Sequence, residues 1–233
     1  MSTRRSRVLS HPSGDSRSST LVSMSEGAAP ADPGTANALV VMQSNFDVDS
    51  TMTTHRLIEM RKNYFIPPEN ELHAPFPGER PYDTFLNGFS LSIDALEAGM
   101  RFPLHPVIEV CLKGWQILSS QMAPNSWHYL VAFLWERFGS GITVTQDLFM
   151  ACFHLSQGQA DYYLIARAGF KVEGAPSNNK GWKSRFFFIS CHWGWSFPTE
   201  WTSHTVNNLV PALSINETEL VKILRGILSA SGA

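Results

Sequence analysis

Lys180, Trp182, Lys183 and Arg185, with Phe186 next in line, place cations beside aromatic rings. Bases of single-stranded nucleic acid stack on exposed rings while cations meet the phosphates, so these four residues are the candidate nucleic-acid contacts. The same composition also describes an edge strand whose lysines discourage further pairing while its rings turn inward. The preceding loop, Gly174–Gly181, has the composition of a phosphate cradle but not its order. That motif needs Gly, Lys and Ser or Thr in succession, whereas here Asn179 precedes Lys180 and Gly181 follows it. We read the loop as a plain connection.

Three other spots carry residues capable of chemistry. His105, between Leu104 and Pro106, has no Ser, Cys or Asp beside it in a nucleophile pattern and reads as a packing or capping histidine. Cys152 and His154 stand two apart in a segment expected to be helical, hence on different faces. Cys191-His192 lacks the second pair that a zinc site needs. The expected catalytic, cofactor-binding and metal sets are therefore all empty.

The elements that would position these residues follow from periodicity. From Pro124 to Phe138 the residues Trp127, Leu130, Val131, Leu134, Trp135 and Phe138 fall at i, i+3, i+4, i+7, i+8 and i+11. This is one face of a 3.6-residue period, with further apolar residues on its flanks, as in a helix buried at the centre of a domain. Asn125 or Ser126 can cap its start and Gly139 can close its end. Helices are also expected over 54–64, over Ile93–Ala98 with a stop at Gly99, and from Leu104 with Pro106 in the first turn. In the last of these, Glu109 and Lys113 share the polar face. A further helix follows Thr143, with Thr143 and Gln146 as a capping box, Leu148, Phe149, Cys152 and Phe153 inward, and Gly158 as its end. Between Ile66 and Asp83, five prolines deny the chain both a helix and a central strand. That segment must wrap over the core, anchored by Phe65, Leu72, Phe76 and Phe85.

After Gly158 the period changes to two: Tyr162, Leu164, Ala166, Ala168, Phe170 and Val172 alternate with more polar residues. Trp182–Ile189 reads as an aromatic strand, and Trp193, Trp195 and Phe197 alternate again. Ser214 and Glu217 form a capping box before a last helix. The expected fold is α+β: a helical bundle of about five helices packed with a small antiparallel sheet of three to four strands. The helical part spans 51–158, the β-rich part 159–205 and the C-terminal helix 214–229. Residues 1–50, rich in Ser, Ala, Gly and Arg, read as a disordered tail in preference to a transit peptide.

Composition bounds the function. Of the 233 residues, 43% are hydrophobic and 16% charged, against a usual share of about 25% charged. A core is affordable, and the charge-poor surface favours association. A net charge of −2 argues against a generally basic nucleic-acid binder. Three widely spaced cysteines make neither a disulfide framework nor a zinc pattern and suit a reducing compartment. No stretch reaches the ~18 apolar residues of a membrane span. An intracellular location follows, with nucleus and cytoplasm not distinguished.

Gly99-Met-Arg-Phe-Pro-Leu-His-Pro106 and Gln121-Met-Ala-Pro-Asn-Ser-Trp127 resemble the motifs of a plant family of gypsy-type transposase domains. Tyr64–Pro68, Pro77–Arg80, Leu96–Ala98 and Ala175–Trp182 agree with it, and the likeness runs from about residue 54 to 230. The resemblance implies an origin in gypsy-type retroelements and brings no active site with it. The residues themselves do not spell transposon chemistry. Asp83, Asp94, Asp147, Asp161 and Glu200 do not repeat as an integrase carboxylate set would. There is no Asp-Asp pair for a polymerase, and Asp83-Thr84-Phe85 is not a retroviral protease signature. The expectation is a retrotransposon-derived, non-enzymatic interaction or assembly domain with a protein partner or self-association and no membrane. The alternative is a weak single-stranded nucleic-acid-binding module built on strand 180–188.

Overall fold

A computed structural model describes residues 33–138, 144–168, 170 and 180–230. The tail over 1–32, the Gly139 stop, Thr143 and the loop over 174–179 lie outside the described residues, as do the side chains of Phe138, Ile227 and Leu228.

The first element is a correction. Helix α1 (Pro33–Ser44) occupies part of the expected tail, and Met42 and Phe46 are buried in the core. Averaging the polar first thirty residues with Ala36–Met42 hides an apolar run that folds. Beyond α1, Ser50 Oγ donates to the Phe186 carbonyl at 2.5 Å and Thr51 N to the Ser184 carbonyl at 2.7 Å. Arg80 clamps the same segment, its Nε on Asp47 at 2.8 Å and an Nη on Asp49 at 2.6 Å. The described residues, from Pro33 onward, thus belong to one compact unit, and the expected boundary at residue 50 falls inside it.

Helix α2 (Thr54–Asn63) starts on the Thr53 hydroxyl and buries Leu57 and Met60. The proline-rich segment contributes an edge strand, β1 (Asn70–His73). Two of its four expected anchors fail: Phe65 is 82% exposed and Phe76 74%. Phe65 sits at φ 53° after the helix end, which swings its ring outward. Strand β2 (Gly88–Ser92) is buried along its whole length and leads into α3 (Ile93–Glu97), capped by Ser92. Helix α4 (Pro106–Trp115) has His105 at its N-cap, as the sequence suggests, and buries Val107, Ile108, Cys111, Leu112 and Trp115.

Helix α5 (Pro124–Phe138) matches its expected bounds. Pro124 opens it, and Ser126, expected as a cap, instead accepts from the Leu164 amide at 2.8 Å inside the core. Trp127, Leu130, Val131 and Phe133 are buried, but Leu134 is only half-buried and Trp135 is 65% exposed. The buried face therefore turns toward Phe133, whose ring meets Phe149 edge-on at 5.0 Å. Helix α6 (Gln146–Cys152) is capped by Thr145, not Thr143, and ends six residues before Gly158. Strand β3 (Phe153–Gln157) follows at once and pairs with β4 (Tyr162–Ala166), Leu155 opposite Leu164. Phe149 and Phe153 satisfy a helical spacing, while Phe153 and Leu155 satisfy a strand spacing; cross-strand pairing decides between them.

Strand β5 (Phe186–Cys191) begins later than expected, after a 3-10 turn over Trp182–Ser184. It is not an edge strand. The sheet order is β1-β5-β2, all antiparallel, with β5 in the middle. The free edge of β2 is covered by a 3-10 turn at Ser119–Gln121, where Ser119 Oγ donates to the Ser90 carbonyl at 3.1 Å. Trp193 lies in the turn after β5, and neither Trp195 nor Phe197 lies in a strand. Helix α7 (Ile215–Ala230) has the expected box: Ser214 Oγ accepts from Glu217 N at 3.2 Å, and Ser214 N donates to the Glu217 carboxylate at 2.9 Å. The class is α+β, with seven α-helices and five strands in two sheets among the described residues. No helix in the described part is long and apolar enough to cross a membrane.

Candidate functional site

The segment joining α3 to α4 borders two surface cavities. Gly99 turns the chain at φ 106°, a conformation that side chains resist. A Cβ there would also come within 3.0 Å of Val131 on α5. Glycine thus lets the segment lie close against α5. Arg101 holds the next turn, its Nη1 donating to the carbonyls of Leu96 at 2.9 Å and Met100 at 2.7 Å. Its guanidinium lies 5.2 Å from the Tyr64 ring centre. His105 Nδ1 accepts from Val107 N at 3.2 Å, which requires the tautomer with its proton on Nε2.

Two cavities flank this segment and share Pro103 and Leu104 as a common wall. The first, of about 430 Å³, opens between the segment and α5 and is lined mainly by apolar atoms, including Met100, Ile108, Val131, Leu134 and Trp135. Of its polar side chains, Arg101 bonds through Nη1 to backbone carbonyls and His105 through Nδ1 to the helix cap. The cavity offers shape and apolar area to a ligand. The second, of about 440 Å³, lies on the opposite side of the wall, against the turn after β5. Glu69, Glu109, Phe102, Trp193 and Trp195 are among its lining residues.

The residues expected to contact nucleic acid sit elsewhere and are largely engaged. Lys180 is exposed. Trp182 is half-buried, and its ring meets Phe46 edge-on at 5.1 Å. Lys183 Nζ lies 4.7 Å from the centre of the same Phe46 ring. Burial lowers the Lys183 pKa, opposed by the charge of Asp161. Burial in turn raises the Asp161 pKa, opposed by Lys183. Arg185 pairs with Asp94, at 3.1 Å, and with Glu97. The aromatic and cationic groups that suggest a nucleotide platform are spent mainly on Phe46 and on two carboxylates.

The other chemical candidates resolve similarly. Cys111, Cys152 and Cys191 are buried thiols not joined in disulfides. Asp94 is fully buried beside Arg185. No three His, Cys, Asp or Glu side chains converge among the described residues as a metal set. Trp135 and Trp193, which do mark the cavities, are hard to find from sequence. Trp135 continues an apolar face, and Trp193 fits an alternation; nothing local says that both rings remain outside. Comparison of the chain with protein-family models, with curated proteins and with solved structures gives no match in any of the three.

Proposed function

We propose that the chain is a non-enzymatic interaction or assembly domain, of retroelement origin, that docks a protein segment in the apolar cavity between the 99–106 segment and α5. The observation that carries the reading is Trp135, 65% exposed at the rim of an apolar cleft beside half-buried Leu134. A large ring left in water beside buried Val131 and half-buried Leu134 is the kind of anchor around which interfaces form. The motif Gly99–Pro106, on which the resemblance to gypsy-type domains rests, forms the other wall of this cleft. The second motif, Gln121–Trp127, does structural work. Gln121, Met122 and Trp127 are buried, and Gln121 Nε2 donates to the Thr202 carbonyl at 2.6 Å. Non-enzymatic action is favoured because the polar groups of the cleft bond to backbone and do not converge on a shared point.

Sedimentation velocity over a range of protein concentrations tests the reading. Reversible association, or a complex with a defined partner, is expected, and Trp135→Ala weakens it at least tenfold without changing the melting midpoint. A protein that stays strictly monomeric and takes no partner overturns the proposal. Long terminal repeats or an adjoining polymerase frame beside the gene bear on its origin.

A further inference from the structure

The second cavity differs in chemistry from the first. Trp195 is fixed within an aromatic group: its ring meets Phe89 at 4.8 Å, Phe197 at 5.6 Å and Phe102 at 6.1 Å between centres. Its Nε1 donates to the Asn87 carbonyl at 3.3 Å. Gly194, at φ 71°, bends the chain so that its amide donates to the Cys191 carbonyl at 3.1 Å. That turn carries Trp193 out to 86% exposure at the cavity mouth. Two carboxylates complete the lining. Glu109 accepts from Ser196 Oγ at 2.7 Å, which orients it, and Glu69 stands exposed on the other side. Among the described residues, no lysine, arginine or histidine lines the cavity.

Ring faces attract cations through their quadrupole, tryptophan most strongly, and nearby carboxylates add a charge that nothing in the lining neutralises. The volume is in the range of small-ligand sites. We propose that this cavity is a receptor for an alkylammonium group, the head of a lysine or methylated lysine side chain on a partner protein. Its identification with a partner side chain rests on the interaction reading above. The shared wall at Pro103 and Leu104 then makes recognition bipartite: the partner presents an apolar anchor to one cavity and an ammonium to its neighbour. Lysine, whose charge ends a long apolar stem, suits a cavity with aromatic walls and acids beside them.

The probe is choline, compared at constant chloride with 3,3-dimethylbutan-1-ol, its uncharged isostere. The readout is the indole N–H resonance of Trp195 in the 233-residue chain. Choline is expected to shift that resonance saturably, with the alcohol about tenfold weaker. Trp193→Ala, at an exposed position, and the double variant Glu69→Gln with Glu109→Gln are each expected to weaken choline about tenfold. Both glutamines retain an acceptor, so the Ser196 contact and the fold persist, which the remaining indole resonances verify. Equal binding of the two probes, absence of a saturable shift, or indifference to both variants overturns the inference. Trp135→Ala, at a position outside this cavity, separates the two claims: it is expected to weaken association and leave choline binding unchanged. Absence of choline binding by the wild type with association intact sinks only the ammonium site; failed association with choline binding intact sinks only the apolar docking cleft.

Discussion

Arg185 shows why residue type alone misleads. Among aromatics it looks like a phosphate ligand, yet its guanidinium bridges Asp94, whose side chain is fully buried, and Glu97. A buried carboxylate is tolerable only beside a cation or hydrogen-bond donors, and Ser92 Oγ also donates to it, at 2.7 Å. Removing the guanidinium takes a cation away from the buried charge. Arg185→Ala is therefore expected to destabilise the protein by about 3 kcal/mol, the low end for a broken buried pair, because the arginine side chain keeps some exposure to water. Urea unfolding of the two proteins measures it. A loss below about 1 kcal/mol, the scale of surface pairs, would mean the bridge is a solvated contact and the arginine is available for another role.

At the scale of elements, legibility followed the length of the periodic signal. Helix α5, with six apolar residues in register, was readable to its last residue, and α2, α3, α4 and α7 within a residue or two. Short segments failed where two periods fit the same residues, as for Phe149 and Phe153, where a helix gives way to a strand without a breaker between them. The central place of β5 was unreadable because its partners, β1 and β2, lie about a hundred residues away. Neither cavity was legible, since each is made by segments that only the tertiary fold brings together. Even α5 faces otherwise than its period suggests. The period marks Leu134 as core, whereas the core takes Phe133 and the cleft takes Leu134. Phe133→Ala is accordingly expected to cost about 3–5 kcal/mol through the cavity it leaves. Leu134→Ala is expected to cost less, about 2 kcal/mol, since its side chain packs on the core but keeps part of its area in water at the cleft. Thermal melts of both variants decide the facing; the reverse order of costs would place Leu134 in the core after all.

For the molecule as a whole, charge decides what kind of partner is within reach. The chain carries a net charge of −2, so no general field draws a polyanion to it. Local attraction must come from cations that are not already paired, and in the candidate stretch Lys183 and Arg185 are engaged by Phe46, Asp94 and Glu97. That leaves Lys180 as the exposed cation of the four-residue set. One phosphate neutralised on a single strand corresponds to a slope of log affinity on log salt of about −0.7. Stacking on Trp182 adds little while one edge of its ring lies against Phe46 and the residue is half-buried. Fluorescence titration with single-stranded oligonucleotides at two salt concentrations is therefore expected to show weak binding with a slope no steeper than about −1. Lys180→Glu should abolish what binding there is, while Lys183→Glu should act mainly by disturbing the packing around Phe46, visible as a lower melting midpoint. A slope of about −2 or steeper would require all three cations to reach phosphate. The Phe46 and Asp94 contacts would then have to open on binding, and this surface, rather than the two cavities beside the 99–106 segment, would become the place to look for the partner.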